Sequence, residues 1–115
     1  MINGPLISSQ RYLDREKVVD KAYRFTRFYV EVYPVVLRGK QYTLIMDGHH
    51  SYAAAKLAGV EPTYLPIRKK LAKIFKGMTQ REIEVLLINN ITDSHLYYVE
   101  SGEVVEELAM PEVSG

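Results

Sequence analysis

Tyr42-Thr43-Leu44-Ile45-Met46-Asp47-Gly48-His49-His50-Ser51-Tyr52-Ala53-Ala54-Ala55-Lys56-Leu57-Ala58-Gly59 carries the change of periodicity on which the fold depends. Gln41 to Met46 is largely apolar and reads as a strand, whereas Tyr52 to Ala58 consists in the main of strong helix formers. Gly59 stands where a helix stops in the left-handed C′ position. A glycine at the strand-to-helix turn between them lets backbone N–H groups and the helix N-terminus converge on an anion. Two imidazoles and a carboxylate beside that glycine put proton-transfer, phosphate-binding or metal-binding groups in one small volume. Asp47 to Ser51 is therefore the candidate site.

Upstream, Arg38-Gly39-Lys40 reads as a hairpin turn joining this strand to an extended segment over Phe28 to Leu37. Pro34 has no N–H for a ladder, so it is expected at an edge or at the start of the strand proper. Asp14 is a plausible N-cap, and Val18, Val19, Ala22 and Tyr23 then share one face of a helix predicted over Asp14 to Thr26. Pro5 to Ser9 suggests an edge strand. Downstream, Glu61 to Ile67 returns as a strand punctuated by Pro62 and Pro66, and Arg68 to Lys76 suits a short amphipathic helix ending at Gly77. Thr79-Gln80-Arg81-Glu82 is a capping-box pattern opening a helix through Ile83, Leu86, Leu87 and Ile88, closed by Asn89 and Asn90. His95 to Val99 and Glu103 to Leu108 flank Glu100-Ser101-Gly102 as a hairpin, with a terminal helix over Glu103 to Met110 as the alternative. The expectation is an α/β (α+β) fold, a compact single domain over residues 1–115 with a small mixed sheet.

Composition narrows the function classes. The 115 residues carry 15 Lys plus Arg against 14 Asp plus Glu, so a nucleic-acid partner requires a local basic patch rather than global charge. With no Cys, disulfide stapling, thiolate catalysis and thiolate zinc sites are excluded. No apolar run approaches the ~20 residues of a membrane span, and Met1-Ile2-Asn3-Gly4 lacks the basic start of a signal peptide. No membrane partner and a cytoplasmic location are the corresponding expectations.

The order helix, proline-bearing strand, second strand, Asp47-Gly48-His49-His50, Ala-rich helix, Gly59 and strand resembles the ParB/sulfiredoxin superfamily. The resemblance covers about Pro5 to Ile67, and residues 68–115 have no counterpart in it. It implies a ParB-like fold in which His50 occupies the position that approaches nucleotide phosphate and Gly48 the turn glycine. His49 stands where sulfiredoxins place their reactive cysteine, which removes that chemistry. Ser51 stands where most relatives carry arginine, so a bidentate phosphate donor is replaced by one hydroxyl. Lys56 points elsewhere, while Arg68 or Lys69 is placed to reach the site from the end of the next strand. The superfamily's activities imply ATP, ADP or CTP as nucleotides and nucleic acid as a partner.

The chemistry also follows from the residues themselves. With phosphate over the Gly48 turn, His50 as imidazolium binds it, and His49 serves as general base or acid. Asp47 repels phosphate unless a divalent cation, Mg²⁺ or Mn²⁺, lies between them or the carboxylate orients a histidine. A metal-assisted phosphodiester or nucleotide hydrolase, in effect a small nuclease, uses both options. A kinase of a small hydroxyl substrate needs a further carboxylate, for which Asp14, Glu16 and Asp20 are the pool. The third reading is a noncatalytic DNA- or protein-binding module, of a size that suits phage, plasmid or toxin-system proteins. Lys69, Lys70, Lys73 and Lys76 read as a solvated helix face, and the nine tyrosines chiefly as packing residues with wet hydroxyls. An aromatic-rich exposed strand leaves a homodimer open.

Overall fold

A computed structural model describes residues 2–10, 13–89 and 95–109. Its elements run β1 (Leu6–Ser8), α1 (Arg15–Arg24), β2 (Tyr29–Leu37), β3 (Lys40–Asp47), α2 (His49–Ala58), β4 (Thr63–Pro66), α3 (Lys69–Lys76), α4 (Gln80–Asn89) and β5 (Tyr97–Tyr98). A single 3-10 turn follows at Glu106–Leu108. Asn90 and Met110, the expected ends of the last helix and of the alternative terminal helix, lie outside the described residues.

Local chemistry accounts for most of these boundaries. Asp14 Oδ1 accepts the N–H groups of Glu16 at 3.0 Å and Lys17 at 3.3 Å, capping α1. Arg38 and Gly39 both have positive φ, 50° and 79°, the type I′ combination whose twist matches that of paired strands, so β2 folds directly back on β3. The capping box at α4 is reciprocal: Glu82 N–H donates to Thr79 Oγ1 at 3.1 Å and Thr79 N–H to Glu82 Oε1 at 2.9 Å.

The five strands lie in the order β4-β2-β3-β1-β5. β2 and β3 are antiparallel, as are β1 and β5, whereas β1 runs parallel to β3 and β4 parallel to β2. The fold is thus α+β with a mixed sheet. β1 is not the edge strand expected from its sequence. The short β5 pairs with its far side, and edge position depends on residues some 90 positions away that periodicity cannot link. Pro34 lies mid-strand in β2, yet β4 ends opposite Val32, so Pro34 has a neighbour strand on one side only and its missing N–H breaks no ladder bond. That open edge is partly covered by α4, where Gln80 Nε2 donates to the Val36 carbonyl at 2.7 Å.

Alternation along the strands builds two cores. Val30, Val32 and Ile45 pack with Leu6, Tyr52, Tyr64 and Val99 on the α2 face, and α1 lies against α2 through Val18, Ala22, Phe28, Ala54 and Ala55. On the opposite face Ile7, Val35, Leu37, Tyr42 and Leu44 meet Phe75, Ile83, Ile88, Leu96, Val105 and Leu108. The segment after Arg68 therefore closes one whole face of the sheet and belongs to the same domain as what precedes it. After Tyr98 the chain makes a tight return, with a bridge between Tyr97 and Val104, and then enters the 3-10 turn. This is a much abbreviated form of the expected hairpin. Glu107 anchors it, accepting hydrogen bonds from the hydroxyls of Tyr42 and Tyr98 and from Lys40 Nζ.

Candidate functional site

Gly48 sits between β3 and α2 with φ +91°. A Cβ at this position would lie 2.7 Å from the Tyr29 carbonyl oxygen and 3.1 Å from Val30 Cα, so both conformation and close backbone approach require glycine. Gly48 caps α2 without a side-chain bond, and the first turn of the helix contains no acidic residue. Among the described residues, a carboxylate meets this positive dipole end only at the N-cap itself, where Asp47 Oδ1 accepts the Gly48 N–H.

The four expected site residues diverge around this turn. Asp47 Oδ1 accepts the Gly48 N–H at 2.8 Å, and its Oδ2 accepts from Arg68 Nη2 at 2.7 Å. Arg68 also donates from Nε to Glu31 Oε2 at 3.2 Å and from its backbone N–H to Glu31 Oε1 at 2.8 Å. A β-bulge explains this grouping: Glu31 faces Asp47 but Val32 faces Ile45, leaving Met46 as the extra residue on β3. Continuing the Val32–Ile45 register without the bulge would set Asp47 opposite Val30, on the α2 face. The bulge turns it instead to the face of Glu31 and Arg68, away from a histidine-orienting role.

His50 Nε2 accepts the backbone N–H of Asp14 at 3.1 Å, a bond that ties α2 to the start of α1. That bond engages one of the two ring nitrogens of the residue expected to contact phosphate as imidazolium. Ser51 Oγ accepts from Lys21 Nζ at 3.4 Å. A cation thus reaches Ser51 from α1, whose Val18 and Ala22 pack toward α2 and set Lys21 beside the same interface. This partner was missed because the helical pattern of α1 identifies an apolar face without identifying what it covers.

His49 lies between the layers, lining one cavity of about 180 Å³ with Ser8, Tyr52 and Tyr97 and another of about 260 Å³ with Leu71, Phe75 and Leu96. Its Nε2 is buried and has no hydrogen-bond partner among the described residues. Burial lowers the imidazole pKa, opposed by the nearby Asp47 charge and assisted by His50. His49 is accordingly held toward its neutral form.

The remaining candidates separate into those that reach the turn and those that do not. Arg68 does so through Asp47, while Lys69 is exposed on α3 and its neighbour Lys70, with Arg68 and Asp47, lines the adjoining cavity of about 340 Å³. Glu16 lines a shallow depression with Arg15, Val19, Asp20 and Tyr23 on α1, which neither His49 nor His50 lines. Of the other two carboxylates considered as a kinase base, Asp20 is paired with Arg24 at 2.9 Å, and Asp14, whose Oδ1 caps α1, lies beside His50 through its backbone N–H. Asp47 and Glu31 are the carboxylates nearest a metal role, and both are held by Arg68. Among the described residues no group of three or more His, Cys, Asp or Glu side chains is arranged to hold a metal ion. Tyr33 packs its ring on Phe75 at 4.8 Å, in keeping with tyrosine as a packing residue. Among the described residues no helix is long and apolar enough to cross a membrane.

No family model, curated protein or solved structure matches this chain.

Proposed function

We propose that this chain is a ParB-like domain that binds phosphate groups of a nucleotide or nucleic acid at the N-terminus of α2, as a binding module in the first instance. The observation that carries the reading is the uncapped, acid-free first turn of α2, opened by a sterically required glycine and flanked by Lys21 on Ser51. The turn also stands at the carboxyl end of β3, beside its parallel neighbour β1, a common location for ligands in sheets with helical crossovers. The succession α1, β2, β3, α2, β4 supports the resemblance drawn from the sequence. In this reading the backbone N–H groups of His49, His50 and Ser51 hold phosphate oxygens, Lys21 supplies charge, and His50 fixes the helix that presents them.

Titration with ATP, ADP, CTP and a short DNA duplex, with and without Mg²⁺ or Mn²⁺, tests the proposal. Saturable NMR shifts at the amides of His49 to Ser51 are expected, weakened roughly tenfold in Lys21→Ala by loss of a charge-assisted contact. Unmoved amides at this turn, with every ligand, refute it.

A second reading, hydrolysis of a phosphodiester or nucleotide, is favoured by His49, an imidazole that burial holds toward its neutral form and whose Nε2 has no competing hydrogen bond among the described residues. It requires turnover that disappears in His49→Ala while ligand binding persists. Binding without turnover under all the metal conditions leaves the module reading.

A further inference from the structure

The α2 face of the sheet holds a second candidate site, toward the other end of that helix. A cleft of about 550 Å³ is lined by Tyr52 and Lys56 of α2, Glu61 beyond it, Tyr64 of β4 and Glu100 of the turn after β5, with Leu6 among its apolar residues. Pockets that enclose small organic molecules measure roughly 300–1,000 Å³. Tyr52 and Lys56 are four residues apart on one helix and face the same way, while the other groups arrive from separate parts of the chain.

The aromatic rings form part of the rigid core: Tyr52 and Tyr64 pack against the Val30, Val32 and Ile45 cluster. Burial raises both phenol pKa values, Glu100 and Glu61 raise that of Tyr52 further, and Tyr64 feels Tyr52 and the same two carboxylates. The five polar side chains therefore share one electrostatic environment. Among the described residues, no hydrogen bond engages the hydroxyl of Tyr52 or Tyr64 or the carboxylate of Glu61 or Glu100. Lys56 Nζ lies 5.5 Å from the Tyr52 ring centroid, so one ring already receives an ammonium group.

Two carboxylates against one ammonium leave the cleft net negative, and phenol rings attract cations through their faces. Convergent polar groups on a largely packed aromatic floor are the composition of an orienting small-molecule site. We propose that this cleft binds a small organic cation, an amine or guanidinium on a short carbon chain, with its charge at Glu61 and Glu100 and its chain along Tyr52 and Tyr64. The opposite charge preference separates it from the phosphate site, and the proposal does not depend on that reading.

The test is an NMR titration of the full chain with agmatine, with butanol and butyrate as neutral and anionic controls at matched ionic strength. Agmatine is expected to give saturable amide shifts around Tyr52, Lys56, Glu61, Tyr64 and Glu100, and the controls none. Glu61→Gln combined with Glu100→Gln should weaken agmatine binding at least about tenfold, with the thermal melt unchanged because neither carboxylate holds a hydrogen bond or ion pair among the described residues. Agmatine shifts scattered over acidic residues elsewhere, butyrate binding as well as agmatine, or wild-type affinity in the double variant would each overturn the assignment. Failure of the phosphate site is read separately, at the amides of His49 to Ser51.

Discussion

Gly48→Ala should be among the most destabilising single-methyl additions to this chain. At φ +91° an alanine incurs the left-handed backbone cost, and its methyl meets the Tyr29 carbonyl oxygen at 2.7 Å and Val30 Cα at 3.1 Å. The first effect costs about 1–2 kcal/mol and overpacking against a backbone that cannot swing away about 1–3 kcal/mol, for roughly 2–5 kcal/mol together. Gly59→Ala is the internal control, because φ is +74° there but nothing lies within 4 Å of the added methyl. It should therefore incur only the conformational cost of about 1–2 kcal/mol. Urea unfolding followed by far-ultraviolet circular dichroism, at an m value of about 2 kcal/mol/M, should place the Gly48→Ala midpoint about 1–2.5 M below wild type and Gly59→Ala about 0.5–1 M below. Equal midpoints for the two variants, at unchanged m, would show that contact between the turn and β2 does not enforce glycine.

His49→Leu should raise stability at pH 7 by about 1 kcal/mol, since it removes a buried nitrogen without a partner, provided the larger aliphatic shape fits the adjoining cavities. Because burial lowers the folded-state pKa of His49 below the usual 6.5, its contribution is fullest above that value and declines as pH falls through it, so His49→Leu should also flatten the stability profile on that acid side. Glu107 is held at about 2, first by the Tyr42 hydroxyl, against 4.5 for an ordinary glutamate. Its stabilisation is present above 4.5 and lost as pH falls from there toward 2, and denaturant titrations should find Glu107→Gln without that loss. His50→Ala should cost about 1 kcal/mol and speed amide hydrogen exchange at the start of α1, through loss of the bond from Asp14 N–H. Arg68→Ala should shift stability by less than about 1 kcal/mol, since the arginine side chain is 73% exposed, and a larger change in the melt would assign the Glu31–Asp47 cluster a bigger structural role.

What was readable in the chain divides along the range of the forces involved. The caps at Asp14 and Thr79, the Arg38-Gly39 hairpin, the helix stop at Gly59 and the strand-to-helix turn at Gly48 all act within a few residues, and each appears where its local chemistry places it. Near the site, the same reasoning located the turn and its ionisable residues but not the partners that each one meets. Nothing local to Asp47-Gly48-His49-His50 announces the bulge at Met46, the Asp14 N–H that claims His50, or the approach of Lys21 to Ser51. Arg68 was the long-range candidate that did reach the turn, and it does so by pairing with Asp47.

The sequence by itself determined a mixed α+β chain with its elements in order and a glycine-bearing turn rich in ionisable groups, because propensity, capping and turn chemistry depend on neighbours along the chain. Only the tertiary structure decided which side chains meet there. A one-residue bulge reverses the face of Asp47, the docking of α1 engages His50 and delivers Lys21, and the closing of both sheet faces buries Nε2 of His49. Those outcomes depend on packing between segments far apart in sequence, where each side chain's role is set by the group brought against it.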